Sequence, residues 1–234
     1  MNAKPVLIID CTVRPSSGQV FTHAMRRMAP PHTKLDVHRA TLDQPESWED
    51  RAVQGAYSAL VISGSAVGVG DRVRWVKHLA APLRAVVASG LPTLGICFGH
   101  QLVAHAFGGR VHSGDHKVRG IRAVATHPNA ESLLCMQGHQ EALVSHTDQV
   151  IEPPPGWEVL AHSDYCPVQA LRAPGLALLT VQWHPEADRA FIEDNPDPAW
   201  DELGDRRLKS LPANRLLTSF LEDPSKLAPE PNTH

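Results

Sequence analysis

Short apolar runs recur through the first half of the chain and alternate with segments of helical spacing. Pro5–Cys11 (PVLIIDC), Tyr57–Ser63 (YSALVIS) and Pro92–Ile96 are apolar almost without interruption. Such a run buries both of its faces, which suits a strand of a parallel sheet covered by helices on both sides. Leu35–Arg39 is a further strand candidate. Between the runs, Val20, Phe21, Ala24, Met25 and Met28 fall on one helical face, and Pro30 and Pro31 stop it. Val73, Val76, Leu79, Leu83 and Val86 or Val87 form a second face, with Asp71 expected as its cap, Pro82 as a kink and Gly90 as its end. Strand and helix in alternation predict a doubly wound α/β sheet.

The second half changes character. Ile121–Thr126, Ala142–Ser145, Glu158–His162, Val168–Leu171 and Leu176–Trp183 are β-like runs with few helices between them, which predicts antiparallel additions. Arg206–Leu221 is amphipathic and reads as a closing helix despite Pro212. Residues 1–222 are expected to form one domain and 223–234, rich in proline, a flexible tail.

Net charge is −3 over 234 residues, so no basic excess argues for nucleic acid or an anionic membrane. The N-terminus lacks a signal-peptide pattern, and no stretch approaches the roughly 20 apolar residues of a membrane span. A cytoplasmic location is expected. The four cysteines, Cys11, Cys97, Cys135 and Cys166, form no CxxC pair, so neither a disulfide framework nor a cysteine-rich zinc site is expected. Cys11, Cys135 and Cys166 read as small buried hydrophobes. The pairs His112/His116 and His100/His105 lack companion ligands, and no metal or other cofactor is expected.

Cys97 differs from the other three. It stands in Gly95-Ile96-Cys97-Phe98-Gly99, where a strand-like run meets a helix-like one. A sharp strand-to-helix turn needs small residues two before and two after the turn residue, the steric logic of a nucleophile elbow. There the helix dipole favours thiolate, and the Phe98 N–H is placed to meet an oxyanion. The same pentapeptide also suits a buried structural cysteine. A nucleophile needs a base held by a third group. In VQWHPE, residues 181–186, His184 and Glu186 are two apart, so on an extended backbone both leave one face. Glu186 then fixes the imidazole tautomer. The alternative is a surface His and Glu at a strand end.

Together these segments resemble the class I glutamine amidotransferases, the triad glutaminase domains. GICFGHQLVAHAFGG resembles their nucleophile motif and VQWHPE their histidine–glutamate motif, which implies Cys97, His184 and Glu186 as a catalytic triad. VISGS, residues 61–65, is similar to their glycine loop, implying a second oxyanion N–H from Ser65 or Gly64. LVSHTDQV, residues 143–150, is similar to a glutamine-pocket segment of the GMP synthetase amidotransferase domain, implying roles for Ser145, His146 and Thr147. Gln101 matches a family glutamine that touches substrate, and SDYCPVQALR resembles the strand before the histidine motif. The implied fold is flavodoxin-like, mostly parallel, with added antiparallel strands. The implied reaction is hydrolysis of the glutamine side-chain amide through a glutamyl thioester.

The sequence departs from the family in three places. Ser65-Ala66 stands where Gly-Pro is frequent, Thr147 where the GMP synthetase group has glycine, and an acidic insertion, ADRAFIEDNPDPAWDELGD, follows Glu186. The insertion is expected to be a solvated surface loop rather than a lid or partner contact. Neither a GxxxxGKS/T phosphate loop nor an SGGxDS motif occurs in the chain. The resemblance thus implies that acceptor chemistry resides on a separate synthetase chain. Two alternatives stay open: hydrolysis of another γ-glutamyl amide or peptide with the same triad, and a catalytically silent binding module.

Overall fold

In the computed structural model, which describes residues 3–41, 48–71, 73–200 and 203–229, one nine-stranded sheet runs through the molecule. Its first half is β1 (Val6–Asp10), α1 (Pro15–Met28), β2 (Leu35–Arg39), α2 (Trp48–Val53), β3 (Ala59–Ile62), α3 (Arg74–Ala88), β4 (Thr93–Ile96) and α4 (Phe98–Ala106). The second half is β5 (Arg110–Thr126), α5 (Glu131–Leu134), β6 (His139–Glu152), β7 (Glu158–Ser163), β8 (Cys166–Arg172), β9 (Leu178–Val181), α6 (Arg189–Asp194), α7 (Asp205–Lys209) and α8 (Arg215–Glu222).

The sheet order is β2-β1-β3-β4-β9-β8-β7-β5-β6. Its first five strands are parallel and the remainder antiparallel, so the flavodoxin-like fold with antiparallel additions is present. β9 is the seam: it pairs in parallel with β4 and antiparallel with β8. Alternation along the central strands feeds two cores. Val6, Ile8, Val61 and Ile96 face α1 and α8 through Phe21, Met25, Leu217 and Phe220. Leu7, Ile9, Leu60 and Ile62 pack with Leu79, Leu83 and Val86 of α3 and Leu102 of α4. Each fully buried aliphatic side chain stabilises the fold by about 1.5–3 kcal/mol.

Several local expectations change. Asp71 does not cap α3; Val73 occupies that position, and the Asp71 carboxylate accepts from the Gly68 N–H at 2.8 Å instead. Pro82 lies inside α3, as the sequence places it. The closing amphipathic segment is broken at Pro212, where a 3-10 turn, Pro212–Asn214, separates α7 from α8. Proline lacks the N–H that a continuous helix needs there. β5 and β6 are far longer than the apolar runs within them. A second 3-10 turn, Pro224–Leu227, buries Leu227 against α8's core in a segment expected to fray, while 230–234 of that tail lie outside the described residues.

The insertion after Glu186 is not a solvated loop. Ile192 and Trp200 are buried with Leu143, Leu208 and Leu211, and Phe191 packs against that cluster. The Trp200 indole N–H donates to the Asn195 carbonyl at 2.7 Å. Asp194 accepts from Ser17 at 2.5 Å and pairs with Arg14 at 3.0 Å, and Asp188 pairs with Arg27, so α6 is tied to α1. Residues 201–202 of the insertion lie outside the described residues.

Candidate active site

The elbow at the end of β4 is strained in the way its glycines require. Cys97 has φ +52° and ψ −101°, a region that costs a non-glycine residue roughly 1–3 kcal/mol. Neighbouring hydrogen bonds hold it there: the Cys97 N–H donates to Val181 O at 2.8 Å, and the Gln101 N–H to Cys97 O at 3.1 Å. A Cβ on Gly99 would stand 2.6 Å from the Ile62 carbonyl oxygen, and one on Gly95 2.9 Å from the Gly99 backbone. Helix α4 can therefore leave the sheet this tightly only with both side chains absent.

One backbone donor and a glycine loop flank the thiol. The Phe98 N–H opens α4, where first-turn donors have no intrahelical acceptor, and it has no partner among the described residues. The Phe98 ring is turned away into the core, 5.6 Å from Trp75. Beyond β3, Gly64 lies between the thiol and the imidazole: a Cβ there would meet His184 Cε1 at 3.2 Å and Cys97 Cβ at 3.7 Å. Ser63 braces this loop, accepting from the Cys11 N–H at 2.8 Å and donating to Gly64 O at 2.9 Å. Ser65 Oγ accepts from the Val67 N–H at 3.3 Å and closes a turn.

His184 follows β9 and is fixed from two sides. Its backbone N–H donates to Leu143 O at 2.9 Å, and its Nδ1 lies 2.8 Å from Glu186 Oε1. The pair meets across a turn, closed by the Ala187 N–H on His184 O at 3.2 Å, and not along the extended strand that the spacing suggests. Both side chains are buried, and besides Glu186 the ring engages the Cys97 side chain. Burial opposes charge on this ring, yet the Cys97 thiolate and the Glu186 carboxylate together hold its pKa well above the ordinary value.

The other expected residues divide into lining and bracing groups. Ser145 lines the cavity beside the triad, and its carbonyl lies 3.9 Å from Cys97 Sγ. Gln101 is buried, and its amide donates to Asp148 O at 2.7 Å and Gln182 Oε1 at 3.1 Å, fastening α4 to β6. His146 Nδ1 lies 3.1 Å from Asp148 O, and burial pushes its pKa down to about 4, so the ring is neutral at pH 7. The Thr147 carbonyl lies opposite Gly114, where a Cβ would approach to 2.9 Å. Burial also lifts the thiols of Cys11 and Cys166, the latter to about 12, which makes both inert. Cys135, which ends α5 with φ +55°, is only half-buried.

A cavity of about 90 Å³ adjoins His184 and Glu186. That is room for several waters, the scale of a small-molecule fragment and not of a nucleotide. It opens where the loops after β1 and β3 diverge, at the carboxyl edge of the sheet and its topological switch point. Sequence reasoning missed four contributors. Arg14, Lys117 and Phe191 line the cavity. Asp148 accepts from Ser113 Oγ at 2.7 Å and presses on Gly68, where a Cβ would stand 2.3 Å from its Oδ2. The apolar residues of the insertion carried a signal for Phe191; Arg14 and Lys117 carried none.

The profile of the family described as "Glutamine amidotransferase class-I" matches residues 8–191. The glutamine-hydrolyzing GMP synthase of Ralstonia pickettii is 32% identical over 202 residues, 80% of this chain and 34% of that protein. Its counterpart in Thermus thermophilus is 37% identical over 128 residues, 55% of this chain and 24% of that protein. The chain thus spans about a quarter to a third of these relatives' length. A glutamine amido transferase from Methylobacillus flagellatus shares the fold at TM-score 0.74 and 24% identity, over 100% of this chain and 99% of its own. A glutamine amidotransferase from Thermotoga maritima does so at TM-score 0.72 and 18% identity, over 97% and 99%.

Proposed function

The chain belongs to the class I glutamine amidotransferases, and on that premise we propose that it hydrolyses the side-chain amide of L-glutamine with Cys97 as nucleophile, His184 as base and acid, and Glu186 as orienting carboxylate. The observation that carries this reading is the wiring of His184: one ring nitrogen bound to Glu186 at 2.8 Å, and the buried ring engaged with a thiol on a strained elbow. Cys97 Sγ attacks the carboxamide carbon. The oxyanion is received by the Phe98 N–H and by a loop N–H of Gly64 or Ser65, each such donor being worth about 3 kcal/mol. His184 protonates the departing nitrogen, leaving a glutamyl thioester. The same imidazole then takes a proton from water, which releases glutamate. Gln101, His146 and Thr147 do not line the cavity; Gln101 and His146 brace α4 and β6 behind it through Asp148 O.

Residues 1–222 act as one domain in this reading, since every strand joins one sheet and α8 packs on it. The ammonia passes to an acceptor enzyme on another chain. The relatives' names, glutamine-hydrolyzing GMP synthases, support the passing of ammonia to an acceptor. The cavity beyond His184 favours a second reading, in which the departing nitrogen carries a substituent and the substrate is a γ-glutamyl conjugate. The test is glutamate release from L-glutamine by the purified protein beside Cys97→Ala. Turnover that vanishes in the variant, with an unchanged circular dichroism spectrum, supports the triad; undiminished turnover in the variant sinks it.

A further inference from the structure

The leaving nitrogen of an amide receives its proton from His184, so any substituent on that nitrogen extends from His184 away from Cys97. The cavity occupies that space: its walls include His184, Phe191 of α6, and Val20, Phe21 and Ala24 of α1. One wall is therefore apolar. The mouth carries a cation, and the backbone places it there by an irregularity. In the β5–β6 ladder Ser113 faces Asp148 and Val118 faces His146, so residues 114–117 bulge out opposite Thr147 alone. A bulge re-aims side chains next to active sites. This one delivers Lys117 to the cavity. Gly114 permits it, since a Cβ there would press on Thr147 O at 2.9 Å.

The charges lining the cavity are matched except for this one. Arg14 pairs with Asp194 and His184 with Glu186, while Lys117 has no ion pair or hydrogen bond among the described residues. Partial burial and the neighbouring Arg119 and Arg14 charges lower the Lys117 pKa, with the Cys97 thiolate and Asp197 opposing them. An ammonium among cations gains from an incoming anion.

We propose that bulge-borne Lys117 is a carboxylate-binding residue on the leaving-group side of Cys97, and that the preferred substrates are γ-glutamyl conjugates of apolar amino acids. In such a conjugate the carboxylate sits one carbon from the scissile nitrogen, within reach of a lysine at the mouth. The side chain then lies on the Val20, Phe21 and Phe191 wall. The chemistry balances as ordinary hydrolysis: Sγ–C forms as C–N breaks, the free amino acid leaves with the His184 proton on its nitrogen, and water then cleaves the thioester to glutamate and the regenerated Cys97 thiol.

The inference rests on the triad reading, and the experiment separates the two. Glutamate release is measured from γ-glutamyl-leucine, γ-glutamyl-leucinamide and glutamine, with wild type, Lys117→Gln and Lys117→Arg. The expected result is that wild type favours γ-glutamyl-leucine over both others. Its kcat/KM relative to glutamine should fall about tenfold in Lys117→Gln, as for a lost charged hydrogen bond, and recover in Lys117→Arg. In parallel, calorimetry measures γ-glutamyl-leucine binding to Cys97→Ala with and without Lys117→Gln, where turnover plays no part. Binding that weakens about tenfold supports the subsite even if wild type proves inactive, an outcome that would remove the triad reading alone. Cys97-dependent glutamine turnover with no preference for the dipeptide, or with a preference indifferent to Lys117, overturns the subsite and leaves the triad standing.

Discussion

The ring of Phe191 lies 4.7 Å from the ring of His184, centroid to centroid, at an interplanar angle of 45°. A residue of the acidic insertion thus packs on the imidazole that the Glu186 carboxylate orients from another side. An aromatic contact of this geometry is worth about 0.5–1.5 kcal/mol. Here it restricts the ring between Phe191 and Glu186.

Phe191→Ala should therefore lower kcat for glutamine about tenfold while KM changes little, and Phe191→Tyr should keep most of the rate. Steady-state kinetics of the two variants check this. A Phe191→Ala enzyme with unchanged kcat would show that the insertion only covers the ring.

Gly99→Ala should cost about 1–3 kcal/mol of stability, because the added methyl meets a backbone oxygen, Ile62 O, at 2.6 Å and the sheet must give. Urea denaturation followed by fluorescence reads the loss. Activity should fall further than stability does, since the displacement is transmitted to the Phe98 N–H. A variant as stable and active as wild type would mean that α4 does not need its close seat on β3.

Acid should destabilise the fold through two neutral histidines. Burial holds the pKa of His146 at about 4 and of His100 at about 3, below the ordinary 6.5. Between those values the unfolded chain binds protons that the folded chain refuses, so stability is full above pH 6.5 and drains away toward pH 4. The loss is of order a few kcal/mol. His184 has the opposite sign: its raised pKa contributes below pH 6.5 and is lost in alkali. Melting temperatures should fall from pH 6.5 to 4, and less steeply in His146→Gln; equal slopes would exclude His146 as a source.

The parallel half of the fold was legible because its strands are buried on both faces, leaving unbroken runs such as PVLIIDC. β5 was not. Arg110–Lys117 is polar and mostly exposed, so only Ile121–Thr126 resembles a strand by composition. At the site, the thiol and its flanking glycines follow from local sterics, and a steric reading finds them. His184 and Glu186 do meet, but through a turn, which two-residue spacing alone does not distinguish from a strand. Lys117 was invisible for a different reason: its direction comes from a mismatch between two strands, a property of their pairing and not of either sequence.

The hydrogen bond from the Cys97 N–H to Val181 O has a consequence for how the protein comes to life. Its two ends are separated by the whole antiparallel half, and closing so long a loop is slow compared with forming a helix. On a nascent chain the elbow emerges well before β9, without the strand that holds its backbone in place. The strained backbone of Cys97 therefore cannot be held in place until nearly the entire domain has been made, so the elbow's geometry marks the completion of folding.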